Sequence, residues 1–254
     1  MKTPSSVFIT GASSGLGRGL ALHYARAGAT VYAAARRRAE LDSLAGEVKG
    51  AAGRIAPVVL DVLDAEALVA ALRSAESEQG GALDLVIANA GLGIPTSARK
   101  MDWKIVKQVL DVNVSAAAVT IAAALPAMVA RDAGHVVAVA SLAAFRGMPG
   151  NAAYCASKAA LHIFMESVRV DLRRTNVRAT TIYPGFVKTE MTAKNKFPMP
   201  FLVELDEAVK VMTKGLARGA ATIAYPLAMV GLTRGLGALP RALYEPMAGR
   251  TRMF

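Results

Sequence analysis

With 254 residues, 54% of them hydrophobic and only 19% charged, the chain has the length of one large α/β domain and ample apolar material for its core. Its formal charge of +11 invites a nucleic-acid reading, but the basic residues are scattered apart from Arg36-Arg37-Arg38 and no aromatic stacking platform accompanies them, so no nucleic-acid partner is expected. The single cysteine, Cys155, excludes an internal disulfide and a cysteine-built zinc cluster; no metal is expected, and a reducing cytoplasm fits.

Apolar runs alternate with helix-length amphipathic segments from the start. Val7–Thr10 reads as a strand, followed by a Gly-rich turn and a helix through about Ala27. Further strands are expected over Thr30–Ala35, Ile55–Leu60, Leu85–Ala88, His135–Ala140 and Ala179–Tyr183, and helices over Ala65–Glu78, Trp103–Ala130 and Ala153–Arg174. Asp61 and Asp64 suit the start of the helix after the third run, since a carboxylate accepts from the free amides there. A strand so close to the N-terminus leaves no room for a signal peptide. The runs Ala116–Ala130 and Ala221–Thr233 fall short of the ~18 unbroken apolar residues of a membrane span, and each carries a proline. Short buried strands separated by helices, with no linker or repeat, imply one domain over 1–254. Its sheet is expected to be doubly wound and parallel, with helices on both faces.

The first turn reads Thr10-Gly11-Ala12-Ser13-Ser14-Gly15-Leu16-Gly17, directly after a strand and opening a helix. Glycines let the backbone turn tightly and approach a diphosphate, while the amides and positive dipole of the helix start face the anion. The simpler alternative is a plain strand-to-helix turn. At the end of the second strand, a cofactor with a free 2′-hydroxyl usually meets an acid. Here the chain reads Ala33-Ala34-Ala35-Arg36-Arg37-Arg38, with no acid before Glu40. Arginine forks match the 2′-phosphate of NADP, so NADP(H) is the expected cofactor with Arg36 and Arg37 as contacts, unless these arginines merely begin a solvated helix.

Further along, Ser141, Tyr154 and Lys158 are set in S-x12-Y-x3-K. A tyrosine four residues before a lysine on a helix shares its face. The phenol normally titrates near pH ~10, and a nearby ammonium is expected to draw it toward neutrality. A serine from a neighbouring strand end could hold a carbonyl oxygen for that proton. This arrangement suits moving a proton at an alcohol or ketone.

Together these residues resemble the short-chain dehydrogenase/reductase family over almost the whole chain. The turn fits its T-G-x3-G-x-G pattern, and Asn89-Ala90-Gly91 its N-A-G motif. Asn113, Ser141, Tyr154 and Lys158 fit its catalytic tetrad, and Pro184-Gly185 follows the sixth strand as in the family. Two departures are Ala88 before Asn89, where many members have another asparagine, and the lack of a basic residue inside the glycine turn. The resemblance implies a Rossmann-type sheet of about seven parallel strands. It implies that Tyr154 is the general acid or base, that Lys158 lowers its pKa and holds the nicotinamide ribose, that Ser141 polarises the substrate oxygen, and that Asn113 anchors a relay water. It assigns Ser13 and Ser14 to phosphate and ribose, Asp61 and Val62 to the adenine edge, Asn89, Ala90 and Gly91 to the adenine-ribose side, and Val187 and Thr189 to the carboxamide. A homodimer or homotetramer through the two long helices also follows from the resemblance.

His23, His135 and His162 do not cluster and read as packing or surface residues; Cys155 reads as a small buried residue, and Trp103 as packing at a helix start. Phe145, Met148 and Pro149 are candidates for one wall of the substrate pocket. Residues 190–205, including Met191, Lys194, Lys196, Phe197, Met199 and Phe201, read as a lid whose apolar content favours a hydrophobic carbonyl substrate. The C-terminal extension, 221–254, sets Met229, Leu232, Leu236, Leu239 and Leu243 at helical spacing with Arg234 and Arg241 opposite. From Ala208 onward the chain has seven basic residues and one acid, Glu245. The tail either packs on the pocket or a neighbouring subunit, or makes weak peripheral contact with an anionic membrane. Gly231, Gly235, Gly237 and Pro240 argue against one long helix there. The expected activity is an NADP-dependent carbonyl reductase or alcohol dehydrogenase on a small-molecule substrate. The alternatives are a 3-oxoacyl-thioester reductase and a non-catalytic NADP-binding scaffold or sensor.

Overall fold

The computed structural model describes residues 3–193, 195 and 197–249. Lys194 and Lys196 of the expected lid and the last five residues of the extension lie outside them. The described residues form a seven-stranded parallel sheet of order β3-β2-β1-β4-β5-β6-β7. The strands are β1 Ser6–Thr10, β2 Thr30–Ala35, β3 Arg54–Val59, β4 Leu85–Ala88, β5 Gly134–Val139, β6 Val177–Pro184 and β7 Thr222–Tyr225.

Alternate residues of each strand feed opposite layers, as a two-residue period demands. Val7, Ile9, Val31 and Ala33 face one cluster with α1 (Gly15–Arg26), α2 (Arg38–Gly46) and α8 (Leu205–Ala217). Phe8, Tyr32 and Ala34 face the other, with α3 (Ala65–Glu78), α5 (Ala116–Arg131) and α6 (Ala152–Asp171). Helices therefore cover both faces, and every strand points its C-terminal end to the same edge. The sheet order reverses beside β1, whose neighbours are β2 and β4. In doubly wound sheets, ligands bind at such a switch point, on the C-terminal edge.

Two segments differ from the expectation. The long helix Trp103–Ala130 is α4 (Trp103–Leu110), a π turn (Asp111–Ser115) and α5, with the Ala116 amide bonded back five residues to Asp111 O. The whole segment Trp103–Arg131 has the length and hydropathy of a membrane span, but 50% of its most apolar window is buried inside the fold, as a core helix requires. In the tail, β7 occupies the start of the apolar run, and two helices follow, α9 (Leu227–Ala238) and α10 (Arg241–Gly249). Helix α9 tolerates Gly231, Gly235 and Gly237, and the break falls at Leu239-Pro240. A short helix in the expected lid, α7 (Glu190–Ala193), completes the set described.

Candidate active site

The glycine turn between β1 and α1 is built by close approach. Gly11 has φ +69°, and a Cβ there would stand 2.8 Å from Ala90 Cα. A Cβ on Gly17 would stand 2.4 Å from Gly11 O and 2.5 Å from Asn89 Nδ2. Asn89 spends both its amide protons on this turn, donating to Thr10 O at 3.0 Å and Gly11 O at 3.2 Å. Thr10 Oγ1 in turn accepts from the amides of Asn89 and Ala90. The N-A-G segment thus stitches the end of β4 to the turn. Ser14 precedes α1 with extended backbone and makes no side-chain cap bond, which leaves the first amides of the helix to face an anion. This glycine-walled cradle and its free amides fit a nucleotide diphosphate.

At the end of β2, Arg37 donates from Nε and Nη2 to Ser13 Oγ, each at 3.1 Å, and from Nη1 to Glu190 Oε2 at 3.1 Å. Arg36 Nη1 lies 3.7 Å from Asp61 Oδ2, while Asp61 Oδ1 accepts from the Leu63 amide. Val62, beside it, is half-buried and packs against the second core cluster. Both expected arginines therefore stand beside the glycine turn and the end of β3. Glu190, which begins α7, draws the segment after β6 to the same corner. Thr189 lies over the turn, its Cγ2 3.2 Å from where a Cβ on Gly15 would be. Val187 points into the core at 4% exposure, so only its backbone can meet a ligand, and its carbonyl already accepts from Thr192 Oγ1 at 2.6 Å.

The other side of the site gathers the four spaced residues. Ser141 follows β5 and begins a 3-10 turn, its Oγ accepting from the Ala143 amide at 3.2 Å, and its hydroxyl stands near enough to the Tyr154 phenol to favour the phenolate. It also lies within 3.4 Å of Pro184 O, next to Gly185 at the end of β6. Lys158 is 4% exposed and donates from Nζ to Val139 O at 2.9 Å. Gly91 packs beside it: a Cβ there would make ordinary contact, 3.6 Å from Nζ and 3.4 Å from Asn113 Oδ1. Asn113 sits in the π turn, fully buried. Its Oδ1 accepts from Leu92 N at 2.7 Å, and its Nδ2 donates to Leu92 O at 2.9 Å and Ser157 Oγ at 3.0 Å.

The electrostatics depart from the expectation that the lysine draws the phenol toward neutrality. Burial pushes the Tyr154 phenol up, opposed by the nearby Ser141 hydroxyl. Lys158 is itself pulled down to about 8 by burial, and its Nζ lies 5.7 Å from the centre of the Tyr154 ring. Here desolvation outweighs the attraction between the pair.

Met191 of α7 closes on Gly93, whose Cβ position is 3.2 Å from Met191 Sδ and 3.9 Å from Tyr154 Cε2. Phe145 stacks at 5.0 Å on Tyr183 and meets His162 at 6.0 Å, while His162 Nδ1 shares a 2.6 Å hydrogen bond with Tyr183 OH. His162 is therefore part of the wall after Ser141. His135 is a packing residue: burial lowers its pKa to about 4, and it bonds Thr180 Oγ1 at 2.7 Å. Cys155 is buried, and burial pushes its thiol up. Trp103, expected to pack, is 69% exposed at the first turn of α4. A cleft of about 700 Å³ lined by Tyr24, Asp84, Arg131 and His135 lies at the opposite, N-terminal end of the strands. Its Arg131 is bound by Asp84 at 3.2 Å and by the carbonyls of Ala82 and Leu83, so it serves as a tie within the fold.

Glu190, Ser157 and the aromatic contacts of His162 escaped the sequence reading. Ser157 adjoins Lys158, but nothing local signals that Asn113 would reach it.

A family profile described as short chain dehydrogenase matches residues 5–198. An uncharacterized oxidoreductase of Myxococcus xanthus is 52% identical over 247 residues, 97% of each chain. A short-chain type dehydrogenase/reductase from Mycobacterium marinum superposes with a TM-score of 0.78 at 28% identity, covering 87% of this chain and 92% of its own. A putative NAD(P)-dependent gluconate 5-dehydrogenase from Beutenbergia cavernae, with bound NADP, superposes with a TM-score of 0.77 at 28% identity, covering 86% and 94%.

Proposed function

The chain belongs to the short-chain dehydrogenase/reductase family and is an NAD(P)-dependent oxidoreductase. On that premise we propose that it is NADP-dependent and transfers hydride between NADP(H) and a hydrophobic carbonyl or secondary alcohol. The observation that carries this reading is the convergence of Ser141 on the Tyr154 phenol, with Lys158 and Asn113 beside Gly91, on the same sheet edge as the glycine cradle. Ser13, Arg36 and Arg37 hold the 2′-phosphate, which supports NADP over NAD, and NADP is bound to the Beutenbergia relative. Gly11, Ser14, Gly15, Leu16 and Gly17 receive the diphosphate. Asp61 and Val62 bound the adenine, Asn89, Ala90 and Gly91 its ribose, and Pro184, Gly185, Val187 and Thr189 the nicotinamide end.

The nicotinamide supplies or accepts the hydride. Ser141 donates a hydrogen bond to the carbonyl oxygen and fixes it against the phenol. In reduction, Tyr154 gives that oxygen its proton; in oxidation it takes the proton back. Lys158, its ammonium held by Val139 O, binds the nicotinamide ribose, and Asn113 anchors the water through which the proton is replaced.

We treat 1–254 as one NAD(P)-binding domain, with a lid at 190–205 and an extension at 221–254. Exposed Trp103, Ile163 and Val170 on the two long helices support self-association through them. The buried free thiol of Cys155 suits a cytoplasmic protein. The net charge of +11 favours one second reading, a 3-oxoacyl-thioester reductase served by an acidic carrier.

A panel of ketones, steroids, aromatic carbonyls and acyl thioesters, followed by NADPH absorbance, tests both readings. Tyr154→Phe is expected to retain nucleotide binding and lose about 10²–10⁴ in turnover. A wild type that binds NADPH tightly yet reduces or oxidises nothing in the panel would be a scaffold or sensor instead.

A further inference from the structure

Because all strands run parallel, the segments that follow β6 and β7 leave the sheet at the edge where Ser141 and Pro184 lie. The first of them, 190–205, exposes Met191 and Phe201, the latter at 54%. The second, α9–α10, contains no buried residue and exposes Leu227 at 83% and Leu243 at 62%, with Leu232 and Met247 beside them.

The tail is anchored at the mouth of the site. Arg146, in the loop after Ser141, donates to Gly237 O and Leu239 O, each at 3.2 Å, capping the end of α9, and its guanidinium lies 4.1 Å from the Tyr244 ring. Tyr244 OH donates back to Gly147 O at 2.5 Å. These contacts involve Tyr244 and the end of α9, leaving the leucines facing outward. Arg234 and Arg241 are exposed on the same two helices, the Arg234 guanidinium lying 5.7 Å from the Phe145 ring, and Glu245 is the sole acid from Ala208 to the end of the chain. Leucine and methionine side chains standing proud beside exposed arginines match the interfacial depth of a bilayer whose headgroups are anionic.

We propose that the exposed apolar face of α9–α10, with its arginines, is a docking surface for an anionic membrane. Docking there turns the mouth between Ser141 and Met191 toward the lipid. A second copy of the chain is the competing occupant. It fits less well because the arginines of two facing tails would meet with the single acid Glu245 on each to oppose their repulsion.

The test is vesicle flotation of the full chain at low and high salt, with sedimentation velocity in parallel. We expect binding to vesicles containing roughly one-third phosphatidylglycerol, weakened by salt, and little binding to neutral phosphatidylcholine. In the double variant Leu227→Asp/Leu243→Asp, the bound fraction should fall about tenfold or more while the melting temperature is held, since both side chains are exposed. Arg234→Glu/Arg241→Glu should remove the preference for anionic lipid. The proposal is overturned if the wild type does not float with anionic vesicles or if the leucine variant floats as well as the wild type. It is also overturned if that variant changes the oligomeric state of a wild type that does not float, which would assign the face to a second copy.

Discussion

Lys158 carries a measurable energetic signature. Its ammonium is almost wholly buried, with Val139 O at 2.9 Å, and burial lowers its pKa from 10.5 to about 8. At about 1.4 kcal/mol per pKa unit, the charged form costs the fold about 3 kcal/mol at neutral pH. The native pKa lies below the unfolded one. Below about pH 8 both states are therefore protonated and the cost is fully present. Between about 8 and 10.5 the unfolded chain keeps a proton that the native state has released, so stability rises with pH. Lys158→Met has similar length and no charge, and lacks this dependence. It leaves Val139 O without its donor, a loss of about 1–3 kcal/mol that does not vary with pH. The wild type should therefore gain about 2 kcal/mol on the variant between pH 7 and about pH 9.5. Urea unfolding of both proteins at the two pH values measures this. Tyr24 and Tyr225, whose phenols burial pushes up, are common to both and cancel in the difference. A difference in stability that stays constant with pH would refute burial as the origin of the depressed pKa.

The glycine cradle offers a paired test. Gly17→Ala drives a Cβ into Gly11 O and should cost about 2–3 kcal/mol. At roughly 2–4 °C per kcal/mol this lowers the melting temperature by about 4–12 °C and abolishes nucleotide binding. Gly231→Ala, inside α9 with nothing within 4 Å, should instead gain about 0.5–1 kcal/mol from helix propensity. Equal shifts in calorimetry for the two would remove the close-approach argument. Arg36→Asp should weaken NADPH far more than NADH in fluorescence titration, and equal weakening of both would reject its assignment to the 2′-phosphate.

Most strands were legible because a parallel strand covered on both faces reads as an unbroken apolar run, as Thr30–Ala35 and Leu85–Ala88 do. The four-residue β7 was not, since its run continues into the equally apolar α9. The spacing of Tyr154 and Lys158 predicts a shared face and the structure has it, but the destination of the ammonium depended on where the carbonyl of Val139 falls at the end of β5. The partners of Arg37 are separated from it by 24 and 153 residues, so no local pattern could join them. The balance between burial and charge at Tyr154 likewise belongs to packing, which spacing does not encode.

The π turn at Asp111–Ser115 makes the winding of one helix an adjustable part. It inserts an additional residue into a run of α-helix, so α4 is rotated about its axis by about 100° relative to an uninterrupted continuation of α5. Deleting one residue there, even a chemically neutral one such as Val114, would heal the helix and swing the two halves out of phase. Either buried Val109 would turn toward solvent, or Asn113 would leave Leu92 and Ser157 and loosen the backbone beside Lys158. At this position the count of residues matters more than their identity, and a relative lacking the inserted residue must hold its Gly91–Gly93 segment by other means.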